Sequence, residues 1–302
     1  MRYLDLEIFL SKRIKHSKIN IIGQTMLKRS IYSVEFDFES DDNVIIQGAI
    51  HAREHITTDL ICRLIKNVER NYDKYKALKT PNIIFVPMVN PDGVELCYDG
   101  VKSVKSKILK TKLININNGS KDFLLYKANA NGVDLNVNFD AKWGSGRQNK
   151  FLAASSDYIG ESPMSENETK ALAMLTVKKK AVFTISYHAK GEEIYYQFFN
   201  KPENIRRDKK IAKIIARNLK YKIKNTESVS SGGYKDWCVL RLNIPSVTIE
   251  VGKDSLLHPI ENKNLNQIYK RNKNIIKILH KIIKEIKNHE RIIYERGIKR
   301  SL

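Results

Sequence analysis

His51-Ala52-Arg53-Glu54 places an imidazole and a carboxylate three positions apart, directly after an apolar run that ends near Ile50. Leaving one tight turn, the two side chains can face a single ion, and zinc accepts that mixture of nitrogen and oxygen ligands. A His-x-x-Glu pair arises readily by chance in a chain with seven histidines, so its placement carries the inference rather than the pair itself. A catalytic zinc wants a third protein ligand and one open coordination position. His188 closes Ile185-Ser186-Tyr187-His188 at the end of another apolar run and completes a His2Glu set. Standing alone it reads as a strand-end histidine hydrogen-bonded within the core. Glu250 repeats the placement in Thr248-Ile249-Glu250-Val251-Gly252, where a carboxylate in an apolar strand is costly unless it is paired or used. Beside a metal it suits a general base that takes a proton from water and later passes it to a leaving amine. Zinc-assisted hydrolysis of an amide is the chemistry these residue types support.

The elements that must hold these residues follow from periodicity. Two β-type runs, Val44 to Ile50 and Ile83 to Val89, flank a helical pattern from about Thr57 to Asn71, in which Leu60, Ile61, Leu64, Ile65 and Val68 recur at helix spacing. Ser165 with Glu168 three residues on predicts a capping box opening a helix to about Lys178, followed by a strand over Ala181 to Tyr187. A helix from about Asp208 to Leu219 and a strand over Ser246 to Val251 continue the alternation. The expected fold is α/β, with a mixed, partly parallel central sheet, helices on both faces and ligand sites beyond the carboxyl ends of the strands. From Asn264 to Lys287, Ile268, Ile275, Leu279, Ile282 and Ile286 form one stripe in a lysine-rich sequence. The stripe is narrow, aliphatic and without Trp or Phe anchors, so it predicts a closing helix docked on the sheet rather than one lying on a membrane. Val101 to Lys121, rich in Lys and Asn, reads as a surface excursion.

Composition narrows the class further. The chain has 302 residues and 42% hydrophobic content, enough for one sizeable core, and no repeats, low-complexity linker or domain boundary are visible. Cys62, Cys97 and Cys238 are odd in number and widely spaced, which fits buried free thiols better than a disulfide framework or a cysteine zinc cluster. The N-terminal stretch lacks the apolar core and cleavage site of a signal peptide, and no run of apolar residues is long enough to span a membrane. A cytoplasmic location with no integral membrane segment is the expectation. With 54 basic against 33 acidic residues the net charge is +21; it reads first as solvated helix faces, with attraction to an anionic polymer such as cell-wall material as the alternative. The lysines are spread along solvated helix faces without a recognisable nucleic-acid module, so nucleic acid is not the expected partner.

Six ordered stretches give the chain a resemblance to the zinc metallocarboxypeptidases of the carboxypeptidase A-like superfamily, whose fold is also called phosphorylase/hydrolase-like. They are Gly48-Ala49-Ile50-His51-Ala52-Arg53-Glu54, Val89-Asn90-Pro91-Asp92-Gly93, Asn131-Gly132-Val133-Asp134-Leu135-Asn136, Ser186-Tyr187-His188, Ser231-Gly232-Gly233-Tyr234-Lys235-Asp236-Trp237 and Thr248-Ile249-Glu250-Val251-Gly252. Glu250 stands 13 positions after Trp237, as in the family. The resemblance implies one zinc ion held by His51, Glu54 and His188, and Glu250 as the catalytic glutamate. It also implies a single catalytic domain over 1–302, with a core of about 20–290 and no prodomain or wall-binding repeat.

Departures from the family pattern bear on the substrate. Carboxypeptidases of the family carry Asn-Arg-Asn-Phe where this chain reads Asn136-Val137-Asn138-Phe139, and valine cannot clamp a terminal carboxylate as that arginine does. Asn136 remains as a donor. The tyrosine that covers substrate in the pancreatic enzymes falls on Ser228. The arginine that polarises the scissile carbonyl aligns loosely with Lys127, which also reads as a solvated surface lysine. The base of the specificity pocket aligns with Lys235, a residue that favours an acidic substrate group, and Lys142 and Arg147 are further candidates for carboxylate contacts. The Gly-Gly-Tyr-Lys-Asp-Trp stretch without the clamp arginine resembles the branch that cleaves γ-D-glutamyl-meso-diaminopimelate bonds in peptidoglycan peptides. A muropeptide is therefore the expected substrate. Two alternatives stay open: a conventional carboxypeptidase preferring acidic C-terminal residues, and a catalytically silent basic protein that binds cell wall. Retention of the ligand set and Glu250 weighs against the last.

Overall fold

A computed structural model describes residues 1–12, 15–224 and 230–301. The chain opens with helix α1 (Tyr3–Ser11), strands β1 (Ser17–Gln24), β2 (Ser30–Phe36) and β3 (Asn43–Gln47), then helices α2 (Ile56–Arg70) and α3 (Tyr72–Ala77). Strand β4 (Asn82–Val86) leads into helices α4 (Pro91–Asp99) and α5 (Lys107–Ile116), and after a long irregular stretch into α6 (Asn167–Lys178). The second half alternates β5 (Ala181–His188), β6 (Glu193–Tyr195), α7 (Pro202–Leu219), β7 (Lys222–Ile223), α8 (Tyr234–Leu242) and β8 (Ser246–Glu250). Helices α9 (Leu265–Asn272) and α10 (Ile275–Ser301) close it.

Among the described residues the strands form one mixed sheet of eight in the order β1-β2-β4-β3-β5-β8-β6-β7. Its centre is parallel: β3 pairs with β4 and β5, and β5 with β8. These are the runs rich in Val and Ile, as a sheet covered on both faces demands. The antiparallel additions lie outside them, β2 against β4 and β6 against β8. One face is covered by α2, α7, α9 and α10, whose Leu60, Leu64, Ile211, Ile215, Ile275, Leu279 and Ile282 are fully buried. The opposite face packs Ile45, Ile84 and Val86 against α6, α8 and the Leu135–Phe139 segment. Ile268, Ile275, Leu279, Ile282 and Ile286 are all buried, so the C-terminal stripe docks onto the sheet.

Three local expectations differ from the structure. Ser165 does not cap α6: Glu166 holds the N-cap position and makes no side-chain cap. Ser165 Oγ instead donates to Glu166 Oε1 at 2.7 Å and accepts from Asn138 Nδ2 at 3.0 Å, because a tertiary partner outcompetes the local one. The single closing helix is two, since Asn272 is buried and its Nδ2 donates to Tyr221 Oη (3.1 Å) as well as to Ile268 O (2.9 Å). The excursion from Val101 to Lys121 contains α5, which buries Leu113 and Ile116 and is capped by Ser106 Oγ accepting from Leu109 N. The helical stripe there is short, and its outer face mixes Lys107 and Lys112 with an exposed Ile108. Among the described residues no helix is long and apolar enough to cross a membrane.

Candidate metal centre and active site

His51, Glu54, His188 and Glu250 meet at the carboxyl edge of the parallel strands. The chain leaves β3 at Gln47, turns through Gly48 and Ala49, and presents His51 just before a short 3-10 turn over Ala52–Glu54. That turn is held from both sides. Thr57 Oγ1 donates to Glu54 O (2.8 Å) and accepts from Ala49 N (2.7 Å), while Val89 N and Asn90 N donate to Gly48 O and Ala49 O, each at 3.0 Å. Asn90 Nδ2 donates to Ile50 O (3.2 Å) and Ala128 O (3.1 Å), and its Oδ1 accepts from Gly93 N (2.9 Å). Gly93 is required there, because a Cβ would lie 2.4 Å from Ala128 O. The Val-Asn-Pro-Asp-Gly stretch is thus the buttress of the His51 turn. His188 and Glu250 need no such device: they are opposite one another at the ends of β5 and β8 in parallel register.

The donor atoms converge. His51 Nδ1 lies 2.9 Å from Glu54 Oε1, His188 Nδ1 lies 3.1 Å from Glu54 Oε2, and the two Nδ1 atoms are 3.1 Å apart. All three residues are buried, and one ligand atom from each lies within 4.8 Å of the others. Two imidazole nitrogens facing each other and one carboxylate at these distances are a poor hydrogen-bonding set and a good cation-binding one, and two nitrogens with one oxygen suit zinc. Burial opposes the charge on Glu54, but His51 and His188 outweigh it and hold the carboxyl well below its ordinary range. The group is therefore anionic, the form in which a carboxylate can hold a metal ion.

A second layer orients His51. Its Nε2 lies 3.3 Å from Asp134 Oδ1, and Lys127 Nζ lies 2.8 Å from Asp134 Oδ2. Burial alone would raise the Asp134 carboxyl; Lys127 and His51 overcome it and hold it well below the ordinary value. A carboxylate on the outer nitrogen of a histidine fixes its tautomer and turns Nδ1 toward the ion. Lys127 is also 3.3 Å from Asp157 Oδ1, so its ammonium is shared by two carboxylates. Glu250 is half-buried at the end of β8, where burial raises its carboxyl to about 8 against the pull of His188 and with the push of Glu54. A bound divalent cation acts in the opposite direction.

Beside the ligands opens a cavity of about 350 Å³, whose walls include Lys127, Asn136, Val137, Lys235, Asp236 and Glu250. Val137 stands in the wall of this cavity and is 6% exposed. Asn136 Oδ1 accepts from Tyr234 N (3.1 Å), which aims its amide group into the cavity wall. Gly232, at φ 81°, passes so close to Val137 that a Cβ would lie 2.5 Å from Val137 O, and this contact seats the Lys235 turn beside Asn136. Lys235 Nζ is 2.5 Å from Asp236 Oδ1 and donates to Gln197 O at 2.8 Å. Lys142 and Arg147 are exposed and do not line this cavity; Lys142 sits 4.4 Å from the Phe199 ring centroid. Ser228 lies outside the described residues. Asp134, Asp157, Tyr195 and Asp236 are site residues that sequence reasoning passed over. Only Asp134 and Asp236 carried a signal, as acidic residues inside matched stretches.

The chain belongs to the zinc carboxypeptidase family, whose model matches residues 10–275. It is 30% identical over 261 residues to gamma-D-glutamyl-L-diamino acid endopeptidase 1 of Lysinibacillus sphaericus, covering 82% of this chain and 63% of that protein. The chain thus spans a little under two thirds of that relative's length. Among solved structures it is similar to bovine thrombin-activatable fibrinolysis inhibitor in complex with tick carboxypeptidase inhibitor (TM-score 0.74, 18% identity, 94% of this chain and 97% of that one). It is also similar to murein-tripeptide amidase MpaA from Escherichia coli O157 (TM-score 0.55, 18% identity, 85% and 91%). At those identities the structural likeness establishes the fold, and the zinc of the family fits the donor set described above.

Proposed function

We propose that this chain hydrolyses an amide bond in bacterial peptidoglycan peptides, the bond between γ-D-glutamate and meso-diaminopimelate, with one zinc held by His51, Glu54 and His188. The observation that carries the reading is the convergence of those three donors beside Glu250, in a cavity lined by Lys235 and by Val137, the residue that the sequence resemblance sets in place of a clamp arginine. The diamino acid named for the Lysinibacillus relative supports the substrate class. A zinc ion in this site supplies Lewis-acid activation of the scissile carbonyl and of the attacking water.

The protein's own groups carry the remaining steps. A Glu250 carboxylate oxygen accepts the proton of the attacking water and returns it to the nitrogen of the leaving amine. Lys127 keeps Asp134 anionic, and Asp134 keeps His51 in one orientation; Lys127 also lines the cavity, and its N–H left over from Asp134 and Asp157 is available to the charge that develops on the carbonyl oxygen. Asn136 and Lys235 bind substrate polar groups in the cavity. Residues 1–302 act as a single catalytic unit, and the surplus positive charge draws it toward anionic wall polymer.

Mass spectrometry of products from L-Ala-γ-D-Glu-meso-diaminopimelate, with Glu250→Gln as control, tests the reading. Release of free diaminopimelate by the wild type alone is expected. An intact peptide, with ready trimming of acidic C-terminal residues from ordinary peptides, would replace it with the conventional carboxypeptidase. Binding to sacculi that survives Glu250→Gln, with no turnover by the wild type on either substrate, would replace it with a silent wall-binding protein.

A further inference from the structure

Lys235 is not a bare cation at the cavity wall. Its ammonium lies 2.5 Å from Asp236 Oδ1 and donates to Gln197 O at 2.8 Å, and the Phe198 ring centroid is 5.5 Å away. Both side chains of the pair are largely withdrawn from solvent, 12% and 8% exposed, and both line the cavity that holds His51, His188 and Glu250. Asp236 is itself fixed, because its Oδ2 accepts from Gly233 N at 3.1 Å at the start of α8. Neither group is saturated. A lysine ammonium has three N–H donors and a carboxylate has lone pairs for about four bonds, so after these contacts one donor remains on Lys235 and acceptor capacity remains on Asp236.

A compensated ion pair selects differently from an isolated lysine. A purely anionic substrate group gains from Lys235 and is repelled by Asp236 at almost the same distance; a purely cationic group meets the reverse. A group carrying a carboxylate and an ammonium on one carbon can lie against the pair with each charge opposite its complement. Rejection of the singly charged groups then comes from the repulsive partner as much as from the missing contact. We propose that Lys235 and Asp236 together form a zwitterion-reading subsite, with Asp236 taking the ammonium and Lys235 the carboxylate of an amino-acid head group at the far end of a substrate side chain. This rests on the murein reading above and sharpens it: the distal end of meso-diaminopimelate is such a head group, whereas the side chain of an acidic C-terminal residue is not. Asp236, which a reading based on charge attraction alone leaves out, becomes a specificity-determining residue.

The test compares kcat/KM for L-Ala-γ-D-Glu joined to meso-diaminopimelate, to 2-aminopimelate, which lacks the distal amine, and to L-lysine, which lacks the distal carboxylate. The wild type should prefer meso-diaminopimelate over each by about 30-fold or more, the scale for leaving one member of a desolvated charge pair unmatched. Asp236→Asn, which keeps an acceptor for Gly233 N, should erase the preference over 2-aminopimelate while retaining that over lysine. Lys235→Gln should do the converse. Equal turnover of the 2-aminopimelate and meso-diaminopimelate peptides by the wild type would overturn the subsite while leaving the murein reading in place. If none of the three peptides is cleaved, the murein reading has failed, and calorimetric binding of the three free amino acids to the zinc-loaded protein decides the subsite. Free meso-diaminopimelate binding at least 10-fold more tightly supports it, and equal binding overturns it.

Discussion

Asp134→Asn tests whether the layer behind the ligands sets the metal site. The carboxylate is ion-paired with Lys127 Nζ (2.8 Å), faces His51 Nε2 (3.3 Å), and accepts from Asn136 N (3.1 Å) and Asp157 N (3.2 Å). Asparagine keeps the shape and one acceptor oxygen. It turns an NH2 group toward either the Lys127 ammonium or the His51 ring, so either the half-buried lysine keeps only Asp157, at 3.3 Å, or His51 loses its carboxylate neighbour. Outer-layer changes of this kind weaken metal binding by about 10–100-fold, or about 1.4–2.8 kcal/mol. Competition with a chromogenic zinc chelator at neutral pH reads that loss directly, and circular dichroism confirms that the variant is folded. Zinc affinity within about twofold of wild type, in a folded variant, would refute the claim that Asp134 orients His51.

Further outcomes follow from single residues. Glu168 is 1% exposed, its Oε1 has no hydrogen-bond partner among the described residues, and burial, with Asp92 and Glu166 nearby, raises its carboxyl from 4.5 to about 8. The folded state holds this proton more tightly than the unfolded one, so the contribution of Glu168 to stability is greatest below pH 4.5, falls as pH rises toward 8 and then levels off. In urea unfolding, Glu168→Gln should therefore overtake the wild type by a few kcal/mol at alkaline pH, of order 1.4 kcal/mol for each unit of raised pKa, with little difference in acid; a difference that does not vary with pH would contradict this. Exhaustive chelation should abolish peptide hydrolysis and added zinc restore it, as measured by product release. Val137→Arg should raise kcat/KM for an ordinary peptide with a free C-terminus by about 10-fold, the scale of one charge-assisted bidentate contact; no gain in a folded variant would mean that the cavity does not receive a terminal carboxylate at that position.

Much of this was legible because the functional groups interrupt apolar patterns. His51, His188 and Glu250 stand where Val- and Ile-rich runs end, and a parallel sheet brings the ends of such runs to one edge. What escaped depends on side chains choosing between partners of similar chemistry. Lys235 reads as a free positive charge in sequence and is paired with its immediate neighbour Asp236 in space. Lys127 reads as an oxyanion group and is held between Asp134 and Asp157, which are 23 positions apart. Ser165 and Glu168 have the spacing of a capping box, yet Asn138 draws the serine away. Tyr195 reaches the cavity only because β6 adds antiparallel to β8, setting it opposite Thr248, and no local pattern announces that pairing.

The most direct measurement of the central claim is metal content and turnover determined on the same preparations of wild type, His188→Ala and Glu250→Gln. Glu250→Gln should bind one zinc as the wild type does and lose turnover by at least about 10²-fold, the low end for losing a positioned general base, whereas His188→Ala should lose both. Loss of zinc in Glu250→Gln, or turnover that survives in it, would contradict the division into a His51-Glu54-His188 metal site and a separate proton-transferring glutamate.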